Sequence, residues 1–230
     1  MLREQYERVL ARVREAEIHA GRRPGEVRLM AVTKTIEEPV IAGAITAGAR
    51  LLGENKVQEL ARKRGNLDLS GCELHLIGHL QSNKAARAVA CADMIQSVDS
   101  VRIAREISRE CVRQNREMPV LLEVNIGRDP AKFGLLPEET GEALAEIAAF
   151  PGIKVRGLMT VPPFLEENLQ TKKFFSQMYH LFIDIRGKKM DNICMDILSM
   201  GMSGDFELAI AAGSNLVRVG SAIFGERNYR

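Results

Sequence analysis

The sequence predicts an α/β protein built as a single (β/α)8 barrel with one extra helix at the N-terminus. Eight short apolar runs alternate with helical patterns along the 230 residues, and strict alternation of this kind indicates a parallel sheet. The runs do not alternate apolar with polar residues, which is typical of strands buried on both faces. Units of about 29 residues suit a barrel. The alternative is a doubly wound open sheet, which usually stops at ~5–6 strands.

Composition excludes several functional classes. Lys and Arg number 32 against 30 Asp and Glu, a net charge of +2, so no broad basic field is available for nucleic acid or an anionic membrane. Aromatic residues make up 5% of the chain and Trp is absent, which disfavours base stacking. The charged N-terminus lacks the apolar core of a signal peptide, and no stretch approaches ~18 apolar residues. We therefore expect a cytoplasmic protein with one domain over residues 1–230.

The elements follow one another without a linker. The first helix runs from Leu2 to about Ala20, with apolar residues at helical spacing. Thr35 and Glu38 have the spacing of a capping box for the next helix. The later helices are expected over residues 55–64, 83–90, 100–115, 137–149, 167–185 and 203–213. The predicted strands are "VRLMAV", "RLLG", "CELHLI", "MIQSV", "PVLLEVNI", "IKVRGLM", "CMDILSM" and "NLVRVG".

Cysteine and histidine give no metal motif. The cysteines at 72, 91, 111 and 194 form no CxxC pair, so we expect buried free thiols in a reducing compartment. His75 and His79 are four residues apart, but they belong to a strand followed by glycine and would not share a helical face. We predict no metal site.

Polar residues follow the strands, where barrels of this class place their chemistry. Lys34 follows "LMAVT" directly. A lysine at a barrel mouth is commonly a solvated charge, yet desolvation lowers its pKa and makes it an amine that attacks carbonyl groups. The sequence leaves both interpretations open.

Two adjacent strand-to-helix turns carry Gly and Ser. Ser203 and Gly204 follow the seventh strand, and Gly220 and Ser221 follow the eighth. Together they would form an anion cup, although Ser203 could instead only cap its helix. Arg218 lies within the last strand and needs a ligand or an ion-pair partner. A reactive amine beside a phosphate cup is the combination of groups that a pyridoxal 5′-phosphate (PLP) site requires.

Longer motifs extend this pattern over nearly the whole chain. They are "AVTKT", "LLGENKVQE", "HLIGHLQSNK", "QSVDS", "LLEVNIGRDPAKFGL", "RGLMTVPP", "LSMGMSGDFELAI" and "GSNLVRVGSAIFGERNY". In order and content they resemble the PLP homeostasis proteins, which themselves look like the N-terminal barrel of alanine racemase standing alone. The resemblance implies a PLP carrier of vitamin B6 homeostasis with little turnover, and we assign no catalytic residue.

The resemblance also implies roles for individual residues. Lys34 would form the Schiff base, and Arg218 would face the pyridine nitrogen. Asn55 would line the cofactor face. The phosphate would be surrounded by Met200, Ser203, Gly204, Gly220 and Ser221.

Three positions depart from the family pattern. Ser221 and Asn215 stand where Thr is common, and both keep a hydrogen-bonding side chain, so the cup is expected to persist. The loop "GRDPAKFG" lacks an early Ser but keeps Lys132. We interpret Lys132 as a mobile solvated side chain rather than as a participant in PLP transfer.

Three functions remain open on the sequence. The first is a binding module that captures PLP and delivers it to apo PLP enzymes. The second is a racemase-like enzyme, which would need bases on both faces of its substrate. The third is a scaffold that kept Lys34 without binding the cofactor. We expect no racemase-type second domain, and this expectation favours the first function and a monomer.

Overall fold

The eight predicted strands close into a parallel barrel. The computed structural model describes residues 1–163, 168–188 and 192–226. Each strand pairs with its neighbours in chain order, and β1 closes the barrel against β8, with Arg28 opposite Leu216 and Ala31 opposite Val219. The strands are β1 (Arg28–Val32), β2 (Leu51–Glu54), β3 (Glu73–Leu76), β4 (Met94–Val98), β5 (Met118–Glu123), β6 (Ile153–Met159), β7 (Ile193–Ser199) and β8 (Leu216–Val219).

Helices cover the outside of the barrel, and the first of them precedes β1. They are α1 (Leu2–His19), α2 (Glu38–Thr46), α3 (Val57–Asn66), α4 (Ala85–Cys91), α5 (Val101–Gln114), α6 (Thr140–Ala148), α7 (Asn168–Gly187), α8 (Phe206–Ala211) and α9 (Ser221–Phe224). The start of α5 shows a local cause, since the Ser100 hydroxyl accepts a hydrogen bond from the Ile103 N–H at 3.3 Å. Among the described residues, no helix is long and apolar enough to cross a membrane.

Two apolar clusters divide the buried residues. The larger cluster lies between the barrel and its helices. The smaller one, which we call the interior cluster, consists of Met30, Val32, Leu51, Met94, Leu121, Met159, Ile197 and Leu216. Side chains alternate between the two faces of a strand, so the residues of β1 fall alternately into the two clusters.

Some sequence predictions were wrong in detail. The helix expected from residue 137 begins only at Thr140, as α6. A short α9, on which the sequence left the question open, follows β8. The expectation of buried thiols holds for Cys111, whereas Cys194 is exposed and Cys72 and Cys91 are half-buried.

Candidate functional site at the barrel mouth

Lys34 lies just beyond β1 and is half-buried. Val32 belongs to the interior cluster, and the Thr33 side chain turns outward to the α3 side. The strand alternation therefore places Lys34 on the interior side of the mouth. Within the described part of the chain, its ammonium group has no hydrogen bond or ion pair. The amine is thus not neutralised by a neighbouring carboxylate.

A buried ion pair supports the backbone next to Lys34. Lys63 of α3 is fully buried, and its Nζ donates to the Thr33 carbonyl at 2.7 Å and to Glu54 Oε1 at 2.6 Å. The Thr33 hydroxyl donates to the same carboxylate oxygen. Burial raises the pKa of Glu54, while the bonds from Lys63 and Thr33 oppose the rise. This pair fixes the end of β1 from outside the barrel.

Glu59 fixes the backbone on the C-terminal side of Lys34. Its carboxylate accepts a hydrogen bond from the Thr35 N–H at 2.8 Å, and Thr35 has a left-handed φ of 62°. The capping-box prediction for Thr35 and Glu38 was wrong, because α2 begins at Glu38 without a side-chain cap. The sequence analysis also missed Glu59 and Lys63, although their i,i+4 spacing on a helix was a usable signal.

Ser203 joins the two loops of the predicted anion cup. Its hydroxyl oxygen accepts hydrogen bonds from the Gly220 N–H at 3.2 Å and the Ala222 N–H at 3.5 Å. It does not cap α8, which begins three residues later at Phe206. An oxygen atom therefore already lies at the N-terminal end of α9. The structure brings the loops after β7 and β8 together.

The other residues of the cup differ in what they offer a ligand. Gly204 and Ser221 are exposed. Met200 is fully buried in the larger cluster, and its N–H donates to the Leu216 carbonyl at 3.1 Å. It therefore lies beneath the cup. Gly201 has a φ of 96°, and a Cβ there would come within 2.6 Å of the Ala209 side chain, so this tight turn requires glycine.

Asn215 is not part of the cup, contrary to the sequence interpretation. It precedes β8, at the opposite end of the strand from Gly220. Its Oδ1 accepts from the Leu198 N–H at 2.8 Å, and its Nδ2 donates to the Asp196 carbonyl at 2.6 Å. Asn215 therefore ties β7 to β8.

Arg218 points into the barrel and is buried. Its guanidinium donates to the Ser199 hydroxyl at 2.7 Å and to the Thr160 carbonyl at 2.8 Å. Burial lowers the pKa of Arg218 to about 10, against the attraction of Glu123 and Asp205. It remains a cation at neutral pH.

Glu123 is an acidic group of the mouth that the sequence analysis missed. Burial and the nearby Asp99 raise the pKa of Glu123 to about 7, whereas Arg218 and Lys132 pull it back down. Among the described residues its carboxyl has no hydrogen bond. The available signal was a single charged residue within the apolar run "VLLEV", the same signal that identified Arg218.

Lys132 is not the mobile solvated side chain that the sequence suggested. It is half-buried, and its Nζ donates to the carbonyls of Pro162 at 2.8 Å and Val161 at 3.3 Å. The Asn125 side chain holds the same loop through the Asp129 carbonyl at 2.8 Å. The loop after β5 is thereby tied to the loop after β6.

Asn55 lies on a cleft of ≈ 540 Å³ that is also lined by Lys56, His79 and Lys84. A Cβ at Gly78 would come within 2.4 Å of the Asn55 carbonyl oxygen, so glycine permits the close approach of these two loops. His79 Nδ1 donates to Asp99 Oδ2 at 2.8 Å. The structure therefore places Asn55 at the mouth, two strands from the cup.

Comparison with known proteins identifies relatives of the whole chain. The family model "Alanine racemase, N-terminal domain" matches residues 6–228. A pyridoxal phosphate homeostasis protein of Aquifex aeolicus is 37% identical over 226 residues, 98% of each chain. The Escherichia coli K12 protein of the same name is 38% identical over 227 residues, 96% of each chain.

Solved structures agree with this assignment. PipY of Synechococcus elongatus, whose structure was solved with PLP bound, is 33% identical, with a TM-score of 0.81 over 93% of this chain and 100% of that chain. A Bifidobacterium adolescentis protein gives a TM-score of 0.90 at 38% identity, over 97% and 94% of the two chains. Alanine racemase of Clostridium difficile shares the fold alone, at 14% identity and a TM-score of 0.73, and this chain covers 56% of it.

Proposed function

This chain belongs to the pyridoxal phosphate homeostasis protein family, and we propose that it binds PLP as a Schiff base on Lys34 and buffers and delivers it within the cell. One observation carries the proposal. In a chain of this family, a lysine without an ion-pair partner among the described residues follows β1 at the mouth of the barrel. PipY, a relative of 33% identity, has a structure with PLP bound.

The residues of the mouth fit the chemistry of PLP. When bound, the cofactor supplies an aldehyde, a phosphate and a pyridine ring that delocalises charge. The Lys34 amine matches the aldehyde. The hydroxyls of Ser203 and Ser221 and the amide of Gly204 match a phosphate dianion, while the Gly220 amide would hold the Ser203 hydroxyl in place and Met200 would support the turn beneath.

Arg218 and Asn55 complete the proposed site. Arg218 would face the ring nitrogen, and Asn55 would line the cofactor two strands from the cup. A guanidinium has no acceptor and stays cationic, so it disfavours a second positive charge on the ring. This arrangement supports reversible binding rather than turnover.

A carrier role requires partners that accept the cofactor. We propose that these are apo PLP enzymes, met transiently in the cytoplasm by a monomer. A racemase-like activity is the second candidate, and Glu123 is the observation in its favour, because it is a carboxyl with a pKa of about 7 near Arg218. Tyr6 offers no second base at the mouth, since its hydroxyl faces the Gly48 carbonyl outside the barrel.

Covalent trapping tests the attachment site. Purified protein is incubated with PLP, reduced with borohydride, and analysed by intact mass and peptide mapping. We expect one adduct on Lys34, its loss in Lys34→Ala, and its retention in Lys56→Ala, which removes a lysine from the same mouth. A wild-type adduct on Lys56 or Lys84 would refute the assignment, as would an adduct that persists in Lys34→Ala.

A further inference from the structure

A line of hydrogen-bonded side chains runs through the barrel from Arg218 to the opposite end. The Arg218 guanidinium donates to Ser199 Oγ at 2.7 Å, and Ser199 Oγ donates to Gln96 Oε1 at 2.7 Å. Gln96 Nε2 then meets His75 Nδ1 at 2.9 Å. His75 Nε2 meets Glu73 Oε2 at 2.9 Å. The line connects the last strand to β7, β4 and β3.

The middle of this line has no access to water. Ser199, Gln96 and His75 are each 0% exposed, and Arg218 is 4% exposed. Polar groups in such an environment are costly unless each is paired. Every member has a partner on both sides, so loss of one member leaves its neighbours unsatisfied. The line therefore behaves as a unit rather than as separate contacts.

Glu73 ends the line at the base of the barrel. Its other carboxylate oxygen accepts from the Arg28 guanidinium at 2.6 Å. The hydrogen bond from His75, together with Arg28, lowers the pKa of Glu73 to about 2. The Glu73 carboxylate at the end of the line is thus an anion at any pH near neutrality.

This anion dictates the direction of every hydrogen bond above it. A carboxylate only accepts, so His75 must carry its proton on Nε2. Gln96 Nε2 lies against His75 Nδ1 and can only donate, so Nδ1 accepts and His75 is neutral. Burial, which lowers the pKa of His75, favours the same state. The Gln96 oxygen then faces Ser199, which must donate its hydroxyl proton.

The direction of the hydrogen bond from Arg218 is fixed in the same way. With its proton directed to Gln96, Ser199 Oγ has only lone pairs left, and these accept from the guanidinium. We propose that Ser199, Gln96, His75 and Glu73 are positioning residues. They hold Arg218 at the mouth through the line of hydrogen bonds, and Glu73 sets the direction of these bonds. The hydrogen bonds of the line are observed contacts, and the effect of the line on the cofactor rests on the proposed function.

Nuclear magnetic resonance on protein without cofactor tests the direction of the chain. In ¹⁵N-labelled protein we expect the His75 ring in the neutral form with hydrogen on Nε2 and a bare Nδ1. In Glu73→Gln the residue at the end of the line no longer imposes a direction on the hydrogen bonds, so both the His75 and the Arg218 side-chain signals should move. Asp196→Asn is the matched control, since it removes a carboxylate from another ion pair of the barrel strands, the one with Arg156. A His75 with hydrogen on Nδ1, or Arg218 signals unchanged in Glu73→Gln, would overturn the proposal.

Variants in the middle of the chain test its effect on the site. Gln96→Met keeps the size of the side chain but breaks both bonds, and we expect shifted Arg218 signals and PLP binding weaker by roughly 3- to 10-fold. Ser199→Ala should act likewise, and Ser199→Thr should restore binding because it keeps the hydroxyl. Ser97→Ala is the control on the same strand, since Ser97 faces away and donates to the Gly78 carbonyl at 2.7 Å.

The experiments without cofactor and the PLP-binding experiments test this inference and the proposed function separately. Shifted Arg218 signals with wild-type PLP affinity and absorption in Gln96→Met would overturn the role at the cofactor. If the wild-type protein trapped no PLP on Lys34, the proposed function would fail, and the signals of protein without cofactor would still decide whether the chain holds Arg218.

Discussion

The Ser203 hydroxyl oxygen lies 3.2 Å from the Gly220 amide nitrogen and accepts its hydrogen bond. These residues are 17 positions apart and belong to the loops after β7 and β8. A second bond from the Ala222 amide at 3.5 Å places the same oxygen at the start of α9. These two bonds leave the Ser203 hydroxyl proton free, so a phosphate in the proposed cup would accept from it.

This arrangement predicts that the phosphate contributes strongly to binding. PLP should bind much more tightly than pyridoxal, which lacks the phosphate. Ser203→Ala should weaken PLP binding by about 1 kcal/mol, roughly fivefold, and leave pyridoxal binding unchanged. Fluorescence titration of both ligands measures the difference. Ser108→Ala, which changes a hydroxyl on α5 bonded to the Pro151 carbonyl, is the control. Equal affinity of the wild-type protein for the two ligands would exclude the cup.

Glu123 should make the stability of the protein depend on pH. Its folded-state pKa of about 7 exceeds the ordinary value of 4.5, so the fold favours the neutral acid. The stabilisation that the neutral Glu123 carboxyl contributes to the folded state is fully present below pH ~4.5 and is lost as pH rises through about 7. Glu123→Gln mimics the neutral acid and should be more stable than wild type at pH 8, by about 1–3 kcal/mol, and equal to it at pH 4.

Urea unfolding between pH 4 and pH 8 measures this effect. Glu142→Gln, at an exposed position of α6, is the matched control and should follow the wild-type pH dependence. A Glu123→Gln variant that is equally or less stable than wild type at pH 8 would show that the carboxyl is better accommodated as an anion.

The Lys63–Glu54 pair predicts a large cost for breaking one partner. Lys63→Met leaves the Glu54 carboxylate buried without its cation, and we expect a loss of about 3–5 kcal/mol. For a chain of this size the thermal midpoint should fall by roughly 10 °C. The double variant Lys63→Met with Glu54→Leu removes both charges and should recover most of the loss. Thermal unfolding, followed by circular dichroism, measures the midpoints of the single and double variants. If the effects of the two substitutions simply added, the coupling between Lys63 and Glu54 would be contradicted.

A carrier should exchange the α-proton of amino acids slowly. In the proposed site Arg218 would disfavour charge on the ring nitrogen. Tyr6 bonds the Gly48 carbonyl and the Tyr179 ring packs against Gly213, before β8, so neither of these two tyrosines lies at the mouth as a second base. PLP-loaded protein in heavy water with L- or D-alanine should incorporate little deuterium at Cα, as measured by mass spectrometry. Rapid incorporation that depends on Lys34 and is lost in Glu123→Gln would instead establish the enzyme and identify its base.

The sequence predicted the barrel and its order of elements because the signals are local. A strand buried on both faces is a continuous apolar run, and a helix shows a period of 3.6 residues. The same local patterns located Lys34 after β1 and the Gly-Ser turns after β7 and β8. A residue's position along its own strand also predicted which end of the barrel it would reach.

Only the tertiary structure decided which side chains meet. Ser199 and Gln96 are bonded across 103 positions of sequence, and Glu123 acquires its raised pKa from burial and from groups on other strands. Ser203 was predicted to belong to the cup, with a cap of its own helix as the alternative, and in the structure it bonds the next loop. Such pairings depend on the tilt and stagger with which eight strands close, and no local pattern in the sequence encodes them. The sequence by itself determined the scaffold and the strand ends, whereas closure of the barrel determined the partners.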